Sequence, residues 1–439
     1  MKSAHPFVLT FTLFAILPHT SFALGLRLPE QDTRAMSRGN AFVATADNPS
    51  AVYYNPAGIS MLYNGVSISP QSVSLAPSGK GYMPAEEPAL GGESGLRTRL
   101  NVMGITLESE FSPAGGGRGF DIKRTSQLVP SSYLTYRPAG SKFTFGFGSY
   151  APYGLGIEWP EDNQFRRQSI SGELMYLTFN PVVAYQVSST FSLAAGATIN
   201  YGRARLKRGV IAPHDMFDFD GEGWSLGLNA GLMWRPLEKH SFGINYRSKT
   251  DINFEGESHL AINPRTIPIP GGAVRLPQFE RDENAEVGIK FPQHIVVGYS
   301  YRPTPKWNLE VNADWTDWDN LNTLFLRQQS GDLALGFNYE SSWMYSSGAS
   351  YTFDNGLTAS VGYIYSENSV PNQSFNPGVP DSTRHVFTTG VGGQYRGWDW
   401  DLAYNWAHGP GRTITQGTAA DGTYEFNSHA ISLGFGQKF

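Results

Sequence analysis

The chain has 439 residues, 33 basic against 38 acidic, a net charge of −5, no cysteine and a mean hydropathy of −0.31. This balance excludes nucleic acid as a natural partner, which would need a basic surface. The missing thiols exclude a disulfide framework, a thiolate metal site and a cysteine nucleophile together.

At the start, Lys2 is the only charged residue before an apolar run from Phe7 to Leu17, followed by Ser21-Phe22-Ala23. Small residues at the two positions a signal peptidase reads predict an export signal over residues 1–23, cleaved after Ala23. The run is shorter than the ~18 residues of a spanning helix, and no later stretch reaches that length. A soluble exported protein would fit the hydropathy. Yet aromatic residues make up 13% against 16% charged, and 49 glycines are spread along the chain. A transmembrane β-barrel produces this balance, because only alternate residues of each strand meet lipid and hydropathy averages out.

Residues 24–63 do not read as membrane strand. Asp32 to Ala46 is rich in small residues, and Asn48-Pro49-Ser50 and Asn55-Pro56-Ala57-Gly58 force two turns. The apolar content (Phe42, Val43, Val52, Tyr53, Tyr54, Ile59) favours packing over a solvated tail. The segment is expected to fold inward as a hatch that plugs a lumen, ahead of a barrel over 64–439.

Period-two segments then recur at about 64–76, 128–137, 141–155, 173–187, 190–204, 223–235, 241–255, 293–302, 306–316, 341–353, 356–366, 384–396, 397–407 and 428–439. Phe143, Phe145 and Phe147 share one face, opposed by Thr144, Gly146 and Gly148. Leu193, Ala195, Ala197 and Ile199 share another, opposed by Ser192, Gly196, Thr198 and Asn200. The opposing face is small and polar, as expected where strands line a lumen. Short turns at 137–142, 187–190, 235–240, 302–306, 353–356 and 396–398 alternate with long segments at 77–127, 156–172, 205–222, 256–292, 317–340, 367–383 and 408–427. A barrel with short periplasmic turns and long external loops requires this, and a soluble β-sandwich does not. The fold class is therefore all-β: a transmembrane antiparallel barrel of about 14 strands with an N-terminal hatch. A further candidate, Arg99–Leu107, would make the count odd and is assigned to the first external loop. Tryptophans 307, 315, 318, 398, 400 and 406 gather near strand ends, where amphipathic rings meet headgroups. The last strand places Ile431, Leu433, Phe435 and Phe439 on one face, so Phe439 is a candidate assembly signal.

Several stretches resemble the FadL-type long-chain fatty acid transport proteins of bacterial outer membranes. They are Gly25 with Leu28, Arg38-Gly39-Asn40-Ala41, Asn55-Pro56-Ala57, Tyr153-Gly154-Leu155, Tyr201 to Arg208, Phe242 to Gly256, Pro371, and Asp381-Ser382-Thr383-Arg384. The resemblance runs in order to Phe439 and implies a fourteen-stranded barrel with a hatch. It also implies capture of ligand by outer loops, hatch movement, and lateral release through an inward kink in the third strand. Pro152, Tyr153, Gly154 and Leu155 stand at that kink; proline removes a ladder bond and glycine tolerates a bend. The bland alternative is that they end the strand before a loop.

By the same resemblance Arg208 matches an arginine that meets the ligand carboxylate. Parity agrees: if Phe191 to Tyr201 faces lipid, Arg208 projects inward while Arg203, Arg205 and Lys207 project outward. Asn55, Pro56 and Ala57 match a hatch motif that contacts the wall, although a plain turn would use the same residues. The family also uses a lysine within residues 317–340. This chain has none from 307 to 437, leaving Arg327 as a substitute by position. The expected cargo is a long-chain fatty acid or another hydrophobic small molecule, with aromatic hydrocarbons or alkanes as the alternative. An outer-membrane lipid hydrolase is a remote third reading, because His214, His240, His259, His294, His385, His408 and His429 are dispersed. An open diffusion porin would make the apolar plug pointless. No cofactor and no metal are expected. The expected partners are outer-membrane lipid and the assembly machinery, and a closed barrel requires no second copy, so a monomer is expected.

Overall fold

Residues that alternate apolar with small or polar can only satisfy their backbone in lipid by pairing all the way round, and the chain does so. The computed structural model describes residues 26–63, 93–123, 126–270 and 272–439. The expected export signal at 1–23 and the expected strand at 64–76 lie outside the described residues.

Fourteen antiparallel strands close into one barrel. They are β1 (Gly95–Pro113), β2 (Ser126–Arg137), β3 (Phe143–Glu158), β4 (Ser171–Gln186), β5 (Phe191–Gly209), β6 (Met216–Leu237) and β7 (His240–Arg247 and Thr250–Ile262). The second half is β8 (Phe279–Phe291 and His294–Tyr301), β9 (Trp307–Thr316), β10 (Ser342–Thr352), β11 (Thr358–Ser366), β12 (Arg384–Tyr395), β13 (Trp398–Ile414) and β14 (Gly422–Lys438). Closure runs from Arg97↔Lys438 to Pro113↔Gly422 between β1 and β14. On its other side β1 pairs β2 from Gly95↔Arg137 to Thr106↔Ser126.

The placement of Arg99–Leu107 in a loop is thereby corrected: these residues are the middle of β1, and the count of fourteen needs no strand from 64–76. The segment misled because Arg97, Arg99, Glu108 and Glu110 break an otherwise apolar pattern. Arg99 points inward, where it is neutralised by carboxylates far away in sequence. A second correction concerns length. β5 and β6 stay paired out to Gly209↔Met216, and β7 and β8 to Ile262↔Phe279, well into stretches expected to be loops. Arg203, Arg205 and Lys207 face outward there and meet Asp220, Glu173 and Glu161. Beyond the hydrocarbon layer the outward face has no reason to be apolar, so alternation fades while the ladder continues.

Lower down, the outward face is lipid-like. Phe143, Phe145, Phe147, Leu193, Leu226 and Val361 are all exposed, whereas Thr144, Ser192, Thr198 and Asn200 are buried. The buried face is small because residues 26–63 fill the lumen. Three one-turn helices, α1 (Thr33–Met36), α2 (Ala51–Tyr54) and α3 (Gly58–Met61), carry this hatch. At Gly348 a Cβ would stand 2.2 Å from the Arg38 carbonyl oxygen, and at Gly362 2.1 Å from the Gly39 amide. Only glycine lets the two backbones approach so closely.

Buried ion pairs fasten the hatch. Arg99 bridges Asp32 and Asp401, both at 2.7 Å, and Arg34 reaches Asp401 at 3.2 Å. Arg27 forks onto Asp314 at 2.8 and 2.7 Å, and Arg38 lies 3.8 Å from Glu310. Such pairs recover their desolvation cost only as sets, and removing one partner costs about 3–5 kcal/mol. They tie the hatch to β1, β9 and β13.

Candidate functional site

The wall is interrupted at β3. It pairs with β2 only from Tyr136↔Phe145 to Ser132↔Ser149. Beyond Ser149 it pairs with β4 alone, after a register shift between Tyr150 and Tyr153. One extra residue on β3 forms this bulge, at Ala151-Pro152. Every residue from Tyr150 to Ile157 is buried, so the strand has left the wall and turned into the lumen. A seam remains between the upper part of β2 and the inward half of β3. The reading in which Pro152 to Leu155 end the strand does not describe this geometry, since β3 continues to Glu158.

The first described residues act as a substitute neighbour. Leu28 N donates to Pro152 O at 2.8 Å, and Gly154 N donates to Leu26 O at 2.8 Å. Arg27 thus sits opposite Tyr153 in an antiparallel bridge. Proline needs no partner for a hydrogen it lacks, and its carbonyl is satisfied. At the bulge itself, Gln31 replaces the missing strand: its amide donates to Ala151 O at 2.8 Å and accepts from Ala151 N at 3.1 Å. The Ser131 and Tyr133 hydroxyls on β2 donate to Gln31 O at 2.8 and 2.9 Å. Sequence reading missed Gln31, because nothing local marks a glutamine that will bridge two strand edges.

Above the seam the lumen is apolar and aromatic. Phe111, Phe165 and Tyr424 meet at 4.7–6.2 Å between ring centres, with Trp159 against Phe165 at 5.3 Å. The Trp159 indole donates to Pro377 O at 2.8 Å, tying two outer loops together. A third loop is anchored by Asp215. Burial works to raise its carboxyl, but bonds from the Asn263 amide, Arg265 and the Ala212 amide outweigh this and hold it below the usual range.

Arg208 projects inward near the top of β5. It stands opposite Phe217 in the ladder, with its guanidinium 5.4 Å from that ring centre. It makes no ion pair among the described residues, and its Nε is buried without a partner. Arg327 is corrected as a substitute cation: it points out of the barrel, 69% exposed, and pairs with Glu286 at 3.2 Å. The hatch motif lies at the opposite end of the lumen. The Asn55 amide donates to Val43 O and to Leu232 O on β6, both at 2.9 Å. The Ser192 hydroxyl on β5 donates to Ala57 O at 2.9 Å. Pro56 packs where any side chain at Gly231 would collide with it. Three residues thus join the hatch to two strands. Phe439 follows β14, half exposed, with its amide donating to Leu96 O at 2.8 Å.

Histidines are spread over the wall. His240, His385 and His429 each share a hydrogen bond with a tyrosine, namely Tyr299, Tyr363 and Tyr404, at 2.7–2.8 Å.

The family model described as "Outer membrane protein transport protein (OMPP1/FadL/TodX)" matches residues 14–439. The long-chain fatty acid transport protein of Escherichia coli K12 is 22% identical over 375 residues, covering 75% of this chain and 80% of that one. A Pseudomonas aeruginosa FadL homologue superposes with a TM-score of 0.76 at 16% identity, over 94% of this chain and 99% of that one. The Pseudomonas putida toluene transporter TodX superposes at 0.67 and 16% identity, over 89% and 94%.

Proposed function

The chain belongs to the OMPP1/FadL/TodX family of outer-membrane transport proteins, whose members are channels and not enzymes, and from that premise we propose how it moves its cargo. It is an outer-membrane transporter of hydrophobic compounds. In our reading a long-chain fatty acid is captured among the outer loops and enters the aromatic upper lumen. It leaves sideways into the membrane through the seam beside β3. The observation that carries this is the loss of β2–β3 pairing beyond Ser149, with residues 26–28 filling the gap. A seam closed by the short segment 26–31, through two backbone bonds and the contacts of Gln31, opens at lower cost than a continuous ladder. Asn55-Pro56-Ala57 would pass hatch movement to β5 and β6 in the same event.

Arg208 is the proposed outer carboxylate site, since an inward cation with no ion pair can take a bidentate anion. The aromatic alternative has its own support: the rings around Phe111 and Trp159 suit a neutral ring compound, and the family's lysine is missing.

Uptake measured in cells lacking their own fatty-acid channel separates these readings. Oleate uptake that exceeds toluene uptake is expected, and uptake of neither would sink the transport proposal.

A further inference from the structure

The outer face of the wall carries a groove that the transport reading does not use. Across β8 to β11 the ladder places Tyr299, Val311, Ser347 and Tyr363 in one outward row. The next row toward the periplasm is Tyr301, Leu309, Ala349 and Val361. In both rows β10 supplies the small residue, so Ser347 and Ala349 form a floor between larger side chains on β9 and β11. The result is an open groove of about 580 Å³, within the ~300–1,000 Å³ of small-molecule sites. Its banks are apolar, and Ser347 turns its hydroxyl toward Tyr363 O at 3.5 Å. Along β10 the outward Tyr345 bounds the floor above and Tyr351 bounds it below. These tyrosines are about 20 Å apart along a tilted strand, comparable with half of the ~30 Å hydrocarbon core.

What lies below the groove says which molecule fills it. Trp307, Tyr351 and Phe353 come first, their rings 4.9 and 5.0 Å apart in sequence, as amphipathic rings do at head-group level. Two lysines follow in the short turns. Lys306 is fixed to the end of β10 by the bond from Thr352 N to its carbonyl, and Lys239 to the end of β8 by the bond from Arg302 N. Lys306 pairs with Asp354, whereas Lys239 is exposed and makes no ion pair among the described residues. Apolar groove, aromatic rim and cations thus succeed one another in the order of tail, glycerol and phosphate. We propose that this groove holds one glycerophospholipid of the periplasmic leaflet, with an acyl chain on Ser347 and Ala349 and its phosphodiester at Lys239 and Lys306. Inward from the same floor, Gly348 and Gly362 lie against the backbone of Arg38 and Gly39. One layer of wall backbone therefore separates the bound chain from the hatch.

The test uses the full-length protein in detergent, stripped of lipid and titrated under native mass spectrometry. The probes are dioleoylphosphatidylglycerol and dioleoylglycerol, which lacks the phosphate. The parent protein is expected to retain one phospholipid per barrel and to bind dioleoylglycerol more weakly. Lys239→Gln is expected to weaken the phospholipid about fivefold, the worth of one lysine at an anionic lipid surface, and to leave dioleoylglycerol unchanged. Ala349→Phe fills the groove and is expected to weaken both probes about tenfold or more. The same substitution at outward-facing Ala195 on β5 should weaken neither. Heat-modifiable migration of each variant checks that the barrel has formed. Should Ala349→Phe fail to fold, the Lys239→Gln comparison decides. Parent protein that retains no phospholipid, or that buries the groove in a dimer instead, overturns the site. So do equal binding by Ala349→Phe and Ala195→Phe, and equal losses of both probes in Lys239→Gln. The transport reading stands or falls separately, on uptake.

Discussion

Single charged residues in the lumen stand in two different settings, and the difference lies in whether each has a counter-ion. Arg99, Arg34 and Asp401 form a closed set. Replacing Asp401 with Asn leaves two buried arginines sharing less charge, which costs the docked hatch about 3–5 kcal/mol. Because the chain has no cysteine, a cysteine placed at the fully buried Ala41 reports this directly. Maleimide labelling of Ala41→Cys should accelerate when combined with Asp401→Asn, and an unchanged rate would mean that the ion pairs do not hold the hatch. Arg208 has no such set around it. Arg208→Ala is expected to reduce oleate uptake several-fold while sparing toluene. A drop in both would reassign Arg208 to packing against Phe217. The surrounding pattern explains how legible these roles were: parity along β5 was enough to turn Arg208 inward, whereas nothing local distinguishes Arg99, a hatch anchor, from a loop arginine.

At the level of the strand, β3 shows how one inserted residue changes a wall. Four residues from Tyr150 to Tyr153 face three from Thr178 to Tyr176 on β4, and the surplus turns the rest of the strand inward. Deleting Ala151 restores a one-to-one register with β4 and lets the upper half of β3 swing back toward β2. The expected result is a barrel that still folds, shown by heat-modifiable migration, with uptake abolished. Persisting uptake would place the exit elsewhere. The Pro-Tyr-Gly-Leu composition announced a weak point, but it was equally consistent with a strand end. On the edge turned away from β4, bonds to Leu26, Leu28 and Gln31, more than a hundred residues away, keep the backbone paired.

The whole molecule is a barrel built around its own N-terminal segment, and its inner glycines show the fit. Gly348→Val places new atoms against the Arg38 backbone, where the first of them would lie 2.2 Å from an oxygen. The hatch must then shift, and ion conductance across planar bilayers should rise. Gly288→Val on β8 meets nothing within 4 Å and should conduct like the parent. Equal conductance in the two variants would show that the hatch is not the seal.

Strand number, face alternation and the presence of a plug were legible in the sequence alone. They rest on a period of two and on turn chemistry, both of which are local. The identity of the first strand, the outer extent of β5 to β8, the seam and the two kinds of lumen arginine were settled only by the tertiary structure. In these a distant segment decides whether a charged or polar residue finds a partner, as Asp32 and Asp401 do for Arg99 and none among the described residues does for Arg208, and that leaves no mark on the residues next in sequence.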